Sequence, residues 1–309
     1  MGESQAVAVN AYASDAEWRQ WVRETRAPRP LPPAGSCDCQ FHIYGDPAIY
    51  RPHPKALYQP IDASFSDSQR VHRALGFERG VIVHSVIYGT DHSLVLDTLE
   101  GLSPETRQNY RMTAIIDDTV SDCEIERLNR AGARAARLNI AKMFGTTPSK
   151  DVIKRVIDRI RELGWHIRLH VRGNDLLEYS DVLRAVRDTP MVIEHMGHVD
   201  FAAGLDQPVC RWILDRLQNE DWWMMVSNGN RDSKMEAGWD DAVPFGAAYV
   251  AAAPERTIWG TDWPHPTWRK RMMNDAEEVE LLYRYVDNDA ALLRKILVDN
   301  PARLYGFVD

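Results

Sequence analysis

Long hydrophobic runs are missing from this 309-residue sequence. No stretch approaches the roughly 18 consecutive apolar residues of a membrane-spanning helix, so no membrane partner is expected. The first residues, MGESQAVAVNAYASD, lack the basic start and apolar centre of a secretory leader, which makes the cytoplasm the expected location. Cysteine is scarce, with only Cys37, Cys39, Cys123 and Cys210. None forms a C-x-x-C pair, so no thiolate zinc motif or disulfide framework is expected and the thiols read as packing groups. An excess of positive charge is lacking too. With 37 basic against 45 acidic residues the net charge is −8, which argues against nucleic acid as a partner but leaves room for a local basic pocket. Internal repeats and low-complexity tracts are also absent.

What is present suits a globular protein with a large core: 44% of the residues are hydrophobic and 27% charged. Residues 1–35 are polar, carry Trp18 and Trp21, and end in APRPLPPAG, so they read as an arm before a domain spanning 36–309. Eight short apolar or β-branched runs follow: CDCQFHIY, GVIVHSVIY, RMTAIID, RAARLNI, WHIRLHV, PMVIEHM, DWWMMVS and RTIWGTD. Helical patterns separate several of them. In SKDVIKRVIDRIRELG, Val152, Ile153, Val156, Ile157 and Ile160 recur at helical spacing, with Gly164 placed to end the helix. Strands alternating with helices imply right-handed crossovers and a parallel sheet, and eight such units close into a (β/α)8 TIM barrel, with an open doubly wound sheet as the rival. The Pro-punctuated YRPHPKALYQP reads as a loop able to cover the barrel mouth. AALLRKILVDNPARLYGF reads as a helix stopped before Pro301, then a short terminal piece.

Polar residues interrupt these runs near their C-terminal ends: Gln40 and His42 on the first, His84 near the second, Arg137 and Asn139 on the fourth, His170 on the fifth, His195 on the sixth and Asp262 on the eighth. Singly, each histidine reads as a hydrogen-bonded core or surface residue. Together they point to one catalytic mouth, because a barrel gathers the C-terminal ends of its strands there.

The motifs DCQFH, HMGH (195–198), WGTDWPHP (259–266) and NPARLYGF resemble the amidohydrolase superfamily. Within it, the chain is similar to the branch of 2-pyrone-4,6-dicarboxylate lactonases and galactarolactone isomerases, from about Ser36 to Phe307. Most amidohydrolases place His-x-His on the first strand, His on the fifth and sixth, and Asp on the eighth, around a divalent ion that activates water. Here the matching residues are Gln40, His42, His170, His195 and Asp262. The lactonase branch is held to work without metal, and Gln40 matches the isomerases, so the resemblance implies no metal cofactor. The alternative is zinc or manganese on His42, His170 and Asp262, because His170 stands where the lactonases carry Tyr.

The activity this resemblance implies is hydrolysis of a carboxylated lactone in aromatic or sugar-acid breakdown. Asp262 would be the general base on water, provided its surroundings raise its pKa, with His42, His170 and His195 polarising the carbonyl and Gln40 adding an amide donor. Arg137 and Arg231 match arginines that grip substrate carboxylates. Two further arginines of the lactonases are replaced here by Met143 and His198. That loss of charge points away from pyrone dicarboxylate toward a monocarboxylate, a sulfonate or a larger, less charged lactone. His84, Tyr88, Met143, Phe144, Trp263 and His265 are then expected to shape the pocket. A lactone isomerase, a metal-dependent hydrolase or decarboxylase, and a non-catalytic ligand-binding barrel are the competing readings. A homo-oligomer is compatible with the sequence, but no residue requires one.

Overall fold

The computed structural model describes residues 18–142 and 147–308. Each apolar run contributes one strand: β1 (Cys37–Phe41), β2 (Arg79–Val83), β3 (Tyr110–Ala114), β4 (Ala133–Asn139), β5 (His166–His170), β6 (Met191–Ile193), β7 (Trp222–Met225) and β8 (Thr257–Ile258). Neighbours pair in chain order and in parallel. The principal helices are α1 (Phe65–Leu75), α2 (Ser93–Glu100), α3 (Asp122–Ala131), α4 (Lys150–Arg161), α5 (Ser180–Arg184), α6 (Pro208–Asn219), α7 (Val243–Ala252) and α8 (Asp275–Tyr285), one after each strand. The sheet closes on itself. Asp262 N–H donates to the Gln40 carbonyl at 2.7 Å, His42 N–H to Trp263 at 2.8 Å, and Cys39 N–H to Trp259 at 3.0 Å. This is the expected (β/α)8 barrel, and closure rules out the open sheet.

The expected helix at 150–164 shows the local logic. Ile153, Val156, Ile157 and Ile160 are buried against the barrel, while Val152 sits half-buried at the edge of the stripe. Ser149 Oγ accepts the Val152 N–H at 3.3 Å, and Gly164 takes φ 67° just past the end, where an L side chain would be strained. The C-terminal segment differs from expectation. Helix continues through Pro301, as Ala290–Arg294, a π-turn at Lys295–Asp299 and Asn300–Tyr305. Pro301 falls in the first turn after the widened π segment, where its missing N–H costs little. Among the described arm residues, Trp21 is buried against Trp263, ring centroids 4.9 Å apart, and Arg26 pairs with Glu280 at 2.6 Å. No described helix is long and apolar enough to cross a membrane.

The barrel interior is layered. Cys37, Cys39, Val81, Val192, Trp223, Met225 and Ile258 pack with Tyr305 and Phe307 from the C-terminus. Above them lies a charged layer. Glu194, fully buried just after β6, receives Arg137 through Nε at 3.0 Å and Nη2 at 2.8 Å, while Arg168 Nε stands 2.8 Å from its other oxygen. Arg168 also donates to Cys39 O at 2.8 Å, to the Tyr305 hydroxyl at 3.2 Å, and to Gln40 Oε1. A register shift in β1 between Asp38 and Phe41 serves this layer. Asp38 turns to His72 of α1 at 3.0 Å and to Thr261 at 2.6 Å, and Gln40 reaches Arg168.

Two variants test this interior. Arg137→Met leaves Glu194 with half of its compensation and should lower stability by about 3–5 kcal/mol, read by urea unfolding. Gly260→Ala should cost roughly 3 kcal/mol by forcing β8 from β1, because the new Cβ would lie 2.4 Å from Gln40 N and 2.9 Å from Asp38 Oδ1.

Candidate active site

A cleft of about 610 Å³ opens at the C-terminal ends of the strands, lined by His42, Tyr58, Val86, Arg137, His170, Arg172, His195, His198, Asn228, Arg231, Asp262, Pro266 and Thr267. His42, Arg137, His170, His195, His198, Arg231 and Asp262 were all expected from sequence. The apolar strands stop short of the mouth, and the chain turns sharply to aim these groups inward. His195, His198, Asn228 and Asp262 therefore adopt φ values of 54°, 44°, 60° and 58°, a left-handed region that costs L residues energy and is concentrated at functional sites.

Asp262 is the hub. Its Oδ2 accepts from Asn228 Nδ2 at 2.9 Å and Arg231 Nη2 at 3.3 Å; its Oδ1 lies 3.3 Å from Gln40 Nε2, 3.3 Å from His42 Nε2 and 3.9 Å from His195 Nε2. Burial alone would raise this carboxyl, but His195, His42 and Arg231 outweigh burial and hold it well below the usual carboxylate range. The raised value that general-base work was expected to need is therefore not what the surroundings produce in the substrate-free site.

The imidazoles differ in what they offer. Burial drives His195 down to about 3, with Asp262 opposing, and pushes His170 well below its ordinary value, with Arg137 adding to the effect. Both are neutral at pH 7. His195 Nε2 faces Asp262 and Glu194, so its proton belongs there, with Nδ1 accepting from Ser227 Oγ at 2.8 Å. His42 is the reverse. Its Nδ1 stands 2.8 Å from the Val83 carbonyl, which only accepts, so Nδ1 is the donor there.

The fit to a metal can be judged from Gln40, His42, His170 and Asp262. Arg168 has only donors, so its contact claims Gln40 Oε1 and turns the amide N–H toward His42 at 3.3 Å and Asp262. Gln40 thus offers hydrogen rather than oxygen to the mouth. Among the described residues no three imidazole, thiol or carboxylate donors of the mouth come within 4.8 Å of one another; the set that does is His265, Asp275 and Glu278. The mouth residues do not fit a divalent ion.

Other expectations are corrected. Arg137 lines the cleft, but its Nε and Nη2 are committed to Glu194, so it is not an unpaired grip for a substrate anion. His84 is buried off the cleft, Nε2 donating to Gly89 O at 3.0 Å, its ring 4.4 Å from His92. Tyr88 is buried and its hydroxyl accepts the Gly45 N–H at 3.3 Å; Tyr58, from the Pro-punctuated loop, supplies the wall instead. Trp263 is packing for Trp21. His265 points behind the eighth-strand loop, its Nε2 2.8 Å from Asp275 Oδ1. Met143 and Phe144 lie outside the described residues.

Sequence reading missed Arg168, Arg172, Glu194 and Asn228. Two of these had a signal. His166, Arg168 and His170 alternate along β5 with the period of a strand face, and Glu194 ends an apolar run directly before His195. Arg172 and Asn228 follow their strands in loops that carry no such periodicity.

Comparison with known proteins agrees with this geometry. The amidohydrolase family profile matches residues 37–307. A 4-sulfomuconolactone hydrolase of Rhizobium radiobacter is 33% identical over 281 residues, 89% of this chain and 91% of that protein. A D-galactarolactone isomerase of Agrobacterium fabrum is 28% identical, covering 90% and 94%. The crystal structure of a Pseudomonas putida protein assigned as a 2-pyrone-4,6-dicarboxylic acid hydrolase superposes with a TM-score of 0.76 at 26% identity, covering 89% of this chain and 98% of that one. Eight converging strand ends, a buried aspartate among three imidazoles, and a match across the whole barrel agree in one assignment: this chain is a member of the amidohydrolase family.

Proposed function

We propose that the protein hydrolyses the ring ester of an anionic lactone, a carboxylate or sulfonate, without a metal in the reaction. The observation that carries this reading is the Asp262 carboxylate, held anionic beside the His195 N–H and Arg231 at the base of a cleft that also receives Arg137. A hydrolase needs a base for water, donors for the oxyanion and a cation for the substrate's charge, and these groups supply all three.

In this mechanism Asp262 takes a proton as water attacks the lactone carbonyl. The oxyanion forms against His195 Nε2–H and the outer edge of the Arg137 guanidinium. The ring C–O bond then breaks, and the departing oxygen receives the proton from Asp262. Arg231, with Arg172 at the rim, holds the substrate anion; its planar fork matches carboxylate and sulfonate alike. Drawing Arg231 toward the substrate removes one of the charges that depress Asp262, so binding itself raises the basicity of the carboxylate. The similarity to sulfomuconolactone hydrolases supports the anionic substrate class.

The decisive experiment incubates the purified protein with carboxylated, sulfonated and sugar lactones and reads product mass and retention. Gain of one water supports the proposal. Unchanged mass with a new retention replaces water by a substrate hydroxyl and makes the protein an isomerase. Asp262→Asn should lower kcat by about 10²–10⁴-fold with substrate affinity retained. In the free enzyme the acid limb of kcat/KM should lie below the usual carboxylate range, because the deprotonated form is active and its pKa is depressed. Arg231→Met should move that limb to higher pH, and an unmoved limb rejects the pairing as its cause.

A further inference from the structure

Beside the catalytic cleft lies a second hollow of about 1110 Å³, walled by the loops that follow β1, β2 and β3 and by the end of β4. Leu57, Val86, Ile115, Ile116 and Leu138 give it an apolar lining. The two spaces adjoin, because Val86 and Arg137 line both. From this continuity we infer that the hollow receives a hydrocarbon substituent of the substrate, so that the lactone carries an anionic group on one side of its ring ester and an alkyl or aryl group on the other. This occupant rests on the lactonase reading of the cleft and narrows its substrate class.

Barrel geometry sets the two ends of such a substrate apart. The cations assigned to its anion, Arg172 and Arg231, follow β5 and β7, whereas the hollow lies over β2, β3 and β4. With the strands paired in chain order, β3 and β7 face each other across the mouth. A substrate held by its anion at Arg231 and by its ester at Asp262 and His195 therefore points its remaining side past Arg137 and Val86 into the apolar space. The loop after β1 divides the two compartments, since Tyr58 lines the cleft and its neighbour Leu57 lines the hollow.

The chemistry of the hollow selects against a second charge. Arg137 already serves Glu194 through Nε and Nη2. Asp117 brings a negative charge to the wall, its Oδ1 accepting from the Thr119 N–H at 2.7 Å and the Thr119 hydroxyl at 2.6 Å. His53 and Lys55 are exposed on their loop, where water solvates them. Ile116 and Leu138 are buried, but Leu57, Val86 and Ile115 are only half-buried and leave apolar surface facing a concave space. A hydrocarbon group covering that surface gains about fourfold in affinity per methylene.

The test uses γ-lactones with a carboxylate on the carbon beside the ring oxygen and hydrogen, methyl, ethyl, propyl or phenyl on the carbon beside the carbonyl, together with the series in which these positions are exchanged. In one of the two series kcat/KM should rise by about fourfold per methylene. The advantage of the propyl over the unsubstituted lactone, compared within each variant, should vanish in Ile115→Trp, whose larger side chain fills the hollow. Leu57→Asn, on the exposed loop, should shrink the same ratio and serves as the second variant should the first fail to fold. The matching γ-lactams, which keep the ring and resist hydrolysis, give Kd by calorimetry and separate binding from reaction. A Kd that falls along the alkyl series while no lactone is opened rejects the hydrolase and retains the hollow as a binding site. The inference is overturned by a kcat/KM that stays flat in both series where lactones are opened, or by a flat Kd where they are not. A gain that persists undiminished in both variants overturns it as well, as does a larger gain from a second carboxylate than from the alkyl group.

Discussion

A carboxylate held between two guanidinium ions at the centre of the barrel organises the rest of the site. Glu194 is inaccessible to solvent, and without Arg137 and Arg168 its burial would cost several kcal/mol. Burial pushes its carboxyl up, but the two arginines outweigh burial and keep it ionised. Each partner then does something further. Arg168 claims the Gln40 carbonyl and so decides which end of that amide faces Asp262. Arg137 helps keep His170 neutral and brings positive charge to the cleft wall. Gln40 is therefore linked to the charged layer beneath, which turns its amide N–H toward Asp262.

The eighth-strand loop joins two environments of opposite demand. On its cleft side Asp262 is surrounded by donors and cations, which favour its charge. On its far side His265 faces two buried carboxylates, and burial pushes Glu278 up to about 8. The Asp262 and His265 backbones both sit in the left-handed region and share a hydrogen bond, so neither side can shift without the other. Packing and charge together hold a strained segment that local preference would release.

Much of this was legible in the residues. Alternating apolar strands and amphipathic helices, such as the one carrying Ile153, Val156, Ile157 and Ile160, carry their periodicity in the chain itself. His42, His170, His195 and Asp262 were visible because a polar residue ending an apolar run is conspicuous. His84 looked the same by that criterion, and His265 was expected from the eighth-strand motif, yet both turn away from the cleft, since residues entering a loop no longer obey the strand period. Pro301 misled for a related reason: a proline stops a regular α-helix, but a π-turn before it absorbs the missing donor.

The amino-acid order by itself determined the barrel and many of the residues gathered at the mouth, because hydrophobic period and strand-end chemistry are local properties, and its motifs carried the resemblance to the family. Tertiary structure alone decided which nitrogen of each histidine carries a proton, which end of Gln40 faces Asp262, and that Arg137 is spoken for by Glu194. It also brought His265 of the β8 loop to Asp275 and Glu278 of α8. These outcomes depend on partners brought from distant strands into a low-dielectric interior, where orientation and charge are set by what is within a few ångströms rather than by what is adjacent in the chain.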